Sequence, residues 1–272
     1  MDSIPAALPP HRGAPIGAQL RAWRQRRRRS QLDLALDAGI SQRHLSFVES
    51  GRATPSRDML LHLAEQLDVP LRERNALLLA AGFAPRFPER RLDEPALSAA
   101  RAVVEAILRG HAPNPALAVD RHWHMVAGNQ AMAPLLAGVT EPALLRPPVN
   151  VLRVSLHPGG LAPAIANLAD WRGHVLGRLR RQAQDTGDPV LAGLLAELTE
   201  LGWDGRVIEP AAGNEVAIPL VLDTPHGRLS LISTTTVFGT PTEVTLSELA
   251  IEAFYPANEE TAGRLARLSS PS

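Results

Sequence analysis

The chain has 272 residues, 45% of them apolar and none of them cysteine. That length suits two hydrophobic cores, the apolar fraction excludes disorder throughout, and the lack of cysteine excludes disulfides and thiolate sites. No run approaches the roughly 18 apolar residues of a membrane span. Residues 1–17 lack the basic-then-apolar order of a secretion signal, so a cytoplasmic protein without a membrane partner is expected.

The formal net charge of +0 hides an asymmetry. Residues 1–90 hold 14 Arg against 9 acids, and residues 91–272 hold 14 Arg against 19. Within 12–57, 10 Arg face 3 acids. A basic first half joined to an acidic second half points to a polyanion as partner of the first. Every basic residue is Arg, a preference that coding bias accounts for without a functional reason.

In chain order, residues 1–15 carry four prolines and read as a flexible arm. Apolar spacing then predicts five helices. The first runs over Ile16–Arg29, with Ile16, Leu20 and Trp23 on one face. Ser30 is the expected N-cap of the second, Gln31–Ala38, with Asp33 completing a capping box. Gly39 ends it as a left-handed residue. Ser41 caps the third, which Gly51 ends, and Ser56 caps the fourth, which carries Met59, Leu60, Leu63 and Leu67. The fifth covers about 71–81. Two short helices joined by a glycine turn have helix-turn-helix geometry.

The run from Ser30 to Gly51 resembles the lambda-repressor-like (XRE-type) helix-turn-helix family. The matched features are Gln31, Leu34-Ala35, Gly39-Ile40-Ser41, Leu45, Val48, Glu49 and Gly51. The resemblance implies double-stranded DNA as partner and an internal ion pair between Arg24 and Glu49. Physical chemistry agrees with it. Residues just after Ser41 start the recognition helix, where base edges are reached. Gln42, Arg43, His44 and Ser46 fit that role, since Arg pairs with guanine and Gln with adenine. Gln31, Arg52 and Arg57 are expected at phosphates. The run Arg26–Arg29 reads equally well as a solvated helix end or as phosphate contacts.

Gly82–Arg91 holds two prolines and several charges and reads as a linker, placed at 85–94 between a DNA-binding domain (16–84) and a second domain (95–268). The second domain reads as a helix over 95–110, strands at 116–120 and 123–127, and a helix over 129–136. A short helix follows over 150–156, then helices over 164–183 and 189–201. Strands over 215–224 and 228–239 flank the turn Pro225-His226-Gly227, and a last strand covers 249–255. The fold class is therefore an all-α helix-turn-helix domain plus an α+β, PAS-like domain with a five-stranded antiparallel sheet.

The stretch Leu71–Pro85, the segments Asn150-Val151-Leu152-Arg153 and His157-Pro158, and Phe238-Gly239-Thr240-Pro241 with Val244-Thr245-Leu246 resemble MmyB-type regulators. With the helix-turn-helix, the similarity covers roughly residues 14–268. It implies a bacterial transcription regulator whose C-terminal domain holds a small apolar ligand, with a fatty acid as the family's example. Arg153, His157, Arg178 and Arg181 are the candidates for its head group, each against a competing reading as an exposed surface residue.

No catalytic residue, metal ligand or further cofactor is expected. His122-Trp123-His124 lacks a third ligand at a clear spacing, and Asp223, His226 and Ser230 lack the context of a triad. The expectation is a homodimer on a two-fold operator, paired through the C-terminal domain. The alternatives are an enzyme-like or purely dimerising C-terminal domain with an autoregulatory helix-turn-helix, and an adaptor whose helical half no longer meets DNA.

Overall fold

Three serines start three consecutive helices in the computed structural model, which describes residues 14–201 and 217–268. Helix α1 spans Ile16–Arg26, α2 Gln31–Asp37, α3 Gln42–Glu49, α4 Arg57–Gln66 and α5 Leu71–Ala80. Ser30, Ser41 and Ser56 accept hydrogen bonds from the amides of Asp33, His44 and Met59, each satisfying a donor the helix leaves free. Ser30 and Asp33 form the full capping box. Gly39 and Gly51 end α2 and α3 at φ 62° and 74°, a region that a side chain resists.

Leu20, Trp23, Leu34, Leu45, Val48, Leu60, Leu63 and Leu78 fill the helical core. A methyl group at Gly17 would lie 2.3 Å from the carbonyl oxygen of Val48, so glycine is what lets α1 lie against the back of α3. The first helix ends at Arg26, shorter than the spacing predicts, because the arginines after it serve another helix. Arg27 donates from Nε and Nη2 to the carbonyls of Leu67 and Asp68, and Arg29 from Nη1 to that of Gln66. Arg29 also pairs with Asp37.

The stretch expected as a linker is pinned. Asn75 Oδ1 accepts from the amides of Arg86 and Phe87, and its Nδ2 donates to the carbonyl of Phe87. Phe83 and Phe87 pack on the helical core. The first compact unit accordingly runs to Glu89 and includes residues 181–192 and 242–247.

Among the described residues, the second unit comprises 90–180, 193–201, 217–241 and 248–268. In chain order, the elements after α5 are α6 (Ser98–Gly110), β1 (Ala116–Val119), β2 (Met125–Gly128), α7 (Ala133–Leu136), α8 (Val151–Leu156), α9 (Leu168–Thr186) and α10 (Pro189–Glu200). They continue with β3 (Leu220–Thr224), β4 (Gly227–Val237), α11 (Val244–Ser247), β5 (Ala250–Pro256) and α12 (Glu259–Leu268). The five strands form one antiparallel sheet in the order β2-β1-β5-β4-β3. On one face, Val104 and Leu108 of α6 pack against Ala116, Ala118, Ile251 and Ala253.

The structure corrects the reading at Trp123, adds a last helix and shortens the third predicted strand. Trp123 belongs to the turn after Asp120 and not to a strand: its amide donates to the Asp120 carbonyl and its φ is 67°. A last helix, α12, follows the sheet. Asn258 Oδ1 caps it at the amide of Thr261, whose own hydroxyl accepts from the amide of Ser230 on β4. The third predicted strand begins at Leu220; the earlier residues assigned to it lie partly outside the described residues.

Candidate functional site: a recognition helix and an apolar cavity

Two surfaces carry the chemistry, one in each unit. In the first, Leu45 and Val48 of α3 are buried, and Gln42 and Arg43 are exposed at its N-terminal end. His44 and Ser46 are half-buried on the same helix. The guanidinium groups of Arg43 and Arg52 lie 5.3 and 6.0 Å from the ring of Phe47, which braces both. Ser41 is exposed at the cap position, and Arg57 is exposed as the first residue of α4.

Beneath this surface, Arg24 donates from Nε and Nη2 to the two oxygens of Glu49 at 2.7 and 2.9 Å. Gln31 Nε2 donates to Glu49 Oε2 at 2.8 Å. The Gln31 side chain, expected at a phosphate, is thus half-buried and joined to this pair, which links α1, α2 and α3.

In the second unit a cavity of about 100 Å³ lies on the sheet face opposite α6. Leu117, Met125, Met132, Leu135, Leu152, Val154, Leu161, Trp171, Val175, Leu220, Leu222 and Phe254 supply most of its wall. Its polar lining is Ser155, His174, Arg178, Ser233 and Glu252. Trp171 Nε1 donates to Ser155 Oγ at 2.9 Å, and His174 stacks on the Trp171 ring. Arg178 lies 4.6 Å from the Trp123 ring and pairs with Glu252, which is only 5% exposed. Trp123 also lines the cavity, and its left-handed backbone, which costs about 1–3 kcal/mol, persists because the surroundings hold it, the Val151 amide donating to its carbonyl.

Of the four head-group candidates, Arg178 alone is in the cavity lining. Arg153 forms a two-pronged pair with Glu197 at 2.7 Å on each prong. These hydrogen bonds raise the Arg153 pKa and hold the Glu197 carboxyl below its ordinary range. His157 Nδ1 accepts from the Gly159 amide in a tight turn, and Arg181 is exposed past the cavity end of α9. Sequence reasoning missed Trp171, His174 and Glu252. The first two stand with Val175 and Arg178 at intervals of three, four and seven, one face of a helix, a spacing legible in the chain.

His124 is tied to Asp120 at 3.1 Å, and among the described residues no three His, Asp or Glu side chains gather to hold a metal. No helix among the described residues is long and apolar enough to cross a membrane.

A capped helix-turn-helix in one unit and an α+β domain with an apolar cavity in the other define a DNA-binding regulator with a ligand-binding domain. Comparison with family models agrees: residues 20–74 match a helix-turn-helix family, and residues 100–268 match the MmyB-like transcription regulator ligand binding domain. The chain belongs to the MmyB-like transcription regulators. Comparison with curated proteins returns no match.

Proposed function

We propose that the protein is a ligand-responsive, non-enzymatic transcription regulator acting in the cytoplasm. It binds a two-fold DNA site as a homodimer joined through its C-terminal domain, and its cavity takes a small apolar ligand built on a fatty acyl or alkyl chain. Gln42, Arg43, His44 and Ser46 read base edges, while Ser41, Arg52 and Arg57 meet phosphates, with Gln31 steadied by Glu49 nearby. The observation that carries the reading is the exposed N-terminal end of α3 on a helix whose back is fixed in the core.

A site-selection experiment followed by binding titration tests it. The natural chain should select a two-fold sequence with half-sites about 34–36 Å apart. Arg43→Ala should weaken that site by about 1–3 kcal/mol and relax its sequence preference. Unchanged discrimination by Arg43→Ala would overturn the assignment of the recognition surface.

A further inference from the structure

A charged pair, Arg178 and Glu252, stands in the cavity wall. Arg178 donates from Nη1 and Nη2 to the two oxygens of Glu252 at 3.0 and 2.7 Å. Its Nη2 also donates to Thr235 Oγ1 at 2.7 Å, and Thr235 passes a hydrogen bond to Glu252 Oε1 at 3.0 Å. Glu252 sits in mid-β5, paired with Leu117 of β1 on one side and Thr235 of β4 on the other. The carboxylate is thus built into the central strand and the arginine is matched to it.

We infer that the ligand carries an uncharged, oxygen-bearing head, an amide, ester or alcohol on an apolar chain, and not a free carboxylate. The inference rests on the apolar-ligand reading above. A carboxylate approaching Arg178 meets Glu252 close by, so repulsion offsets attraction while the ligand still gives up its hydration. If Arg178 turned to the ligand instead, it would leave the buried Glu252 carboxylate without its countercharge, with only the Thr235 hydroxyl beside it. A neutral oxygen meets neither penalty. It also finds a donor: the Trp171 N–H occupies an acceptor position of Ser155 Oγ and leaves the hydroxyl hydrogen to bond a ligand. Ser233 adds a second hydroxyl to the lining. His174, the remaining titratable side chain of the lining, is stacked on Trp171.

Calorimetric titration of the full chain with decanoate, decanamide and 1-decanol tests the inference. A pH of about 8, above the ordinary imidazole range, keeps a histidine cation out of the comparison. Decanamide and decanol should bind more tightly than decanoate by about tenfold or more. Any apolar pocket favours neutral ligands to some degree, so the decisive measurement adds Glu252→Gln, which keeps the side-chain shape and leaves Arg178 unmatched. In that variant decanoate should gain about tenfold against decanamide.

Decanoate binding the natural chain as tightly as decanamide overturns the inference, whether or not the variant folds. A folded variant with an unchanged ranking also overturns it, because the pair would then not set the preference. If none of the three ligands binds the natural chain, the apolar-ligand reading itself fails.

Discussion

Arg24 and Glu49 are each 8% exposed, and their pairing is what makes burial of two charges tolerable. Glu49 also accepts from Gln31, so its carboxylate joins three helices. Removing one member of such a pair leaves an uncompensated charge, at a cost of about 3–5 kcal/mol. Arg24 retains a bond from Nη1 to the Arg29 carbonyl, so the low end applies here. Glu49→Ala should therefore lose about 3 kcal/mol of stability in urea denaturation. Exposed Arg43 offers the contrast: Arg43→Ala should leave the unfolding free energy in urea within about 0.5 kcal/mol of the natural chain while weakening DNA binding. A stable Glu49→Ala protein with lost DNA binding would place Glu49 in the interface instead.

The elements of the helical unit were legible because their signals are local. A serine and the amide three residues on, or a glycine at a helix end, can be read from four letters of sequence, and Ser30, Ser41, Ser56, Gly39 and Gly51 all act where the pattern puts them. The arginine run was not legible, since its partners lie some forty residues downstream at the end of α4. Arg27 satisfies two carbonyls there that the helix leaves open. Arg27→Ala should cost about 1–2 kcal/mol of stability. It should leave the slope of DNA affinity against salt unchanged, whereas loss of a phosphate contact would reduce that slope by about 1. The cavity was harder still, because its lining comes from both halves of a sheet and from helices inserted between the strands. Of four candidate residues only Arg178 reached it, and its partner Glu252 stood unremarked in an apolar strand.

At the scale of the whole molecule, the proposed regulation needs a free energy shared between a DNA surface and a cavity in different units. Binding linkage makes that requirement testable without knowing the path. If ligand changes operator affinity by some factor, operator must change ligand affinity by the same factor. Couplings of this kind are typically about 1–3 kcal/mol, or roughly 5–150-fold. With decanamide as ligand and the selected two-fold site as operator, the Kd of each should therefore shift in the presence of the other, by equal factors. The sign decides between ligand as inducer and ligand as corepressor. Two Kd values that ignore each other would mean that the cavity and α3 work as independent modules, and ligand would then not regulate DNA binding. A Glu252→Gln chain that binds decanoate provides the internal check: the head group changes, yet the equality of the two factors must hold, because it follows from the closed cycle and not from the chemistry of the pocket.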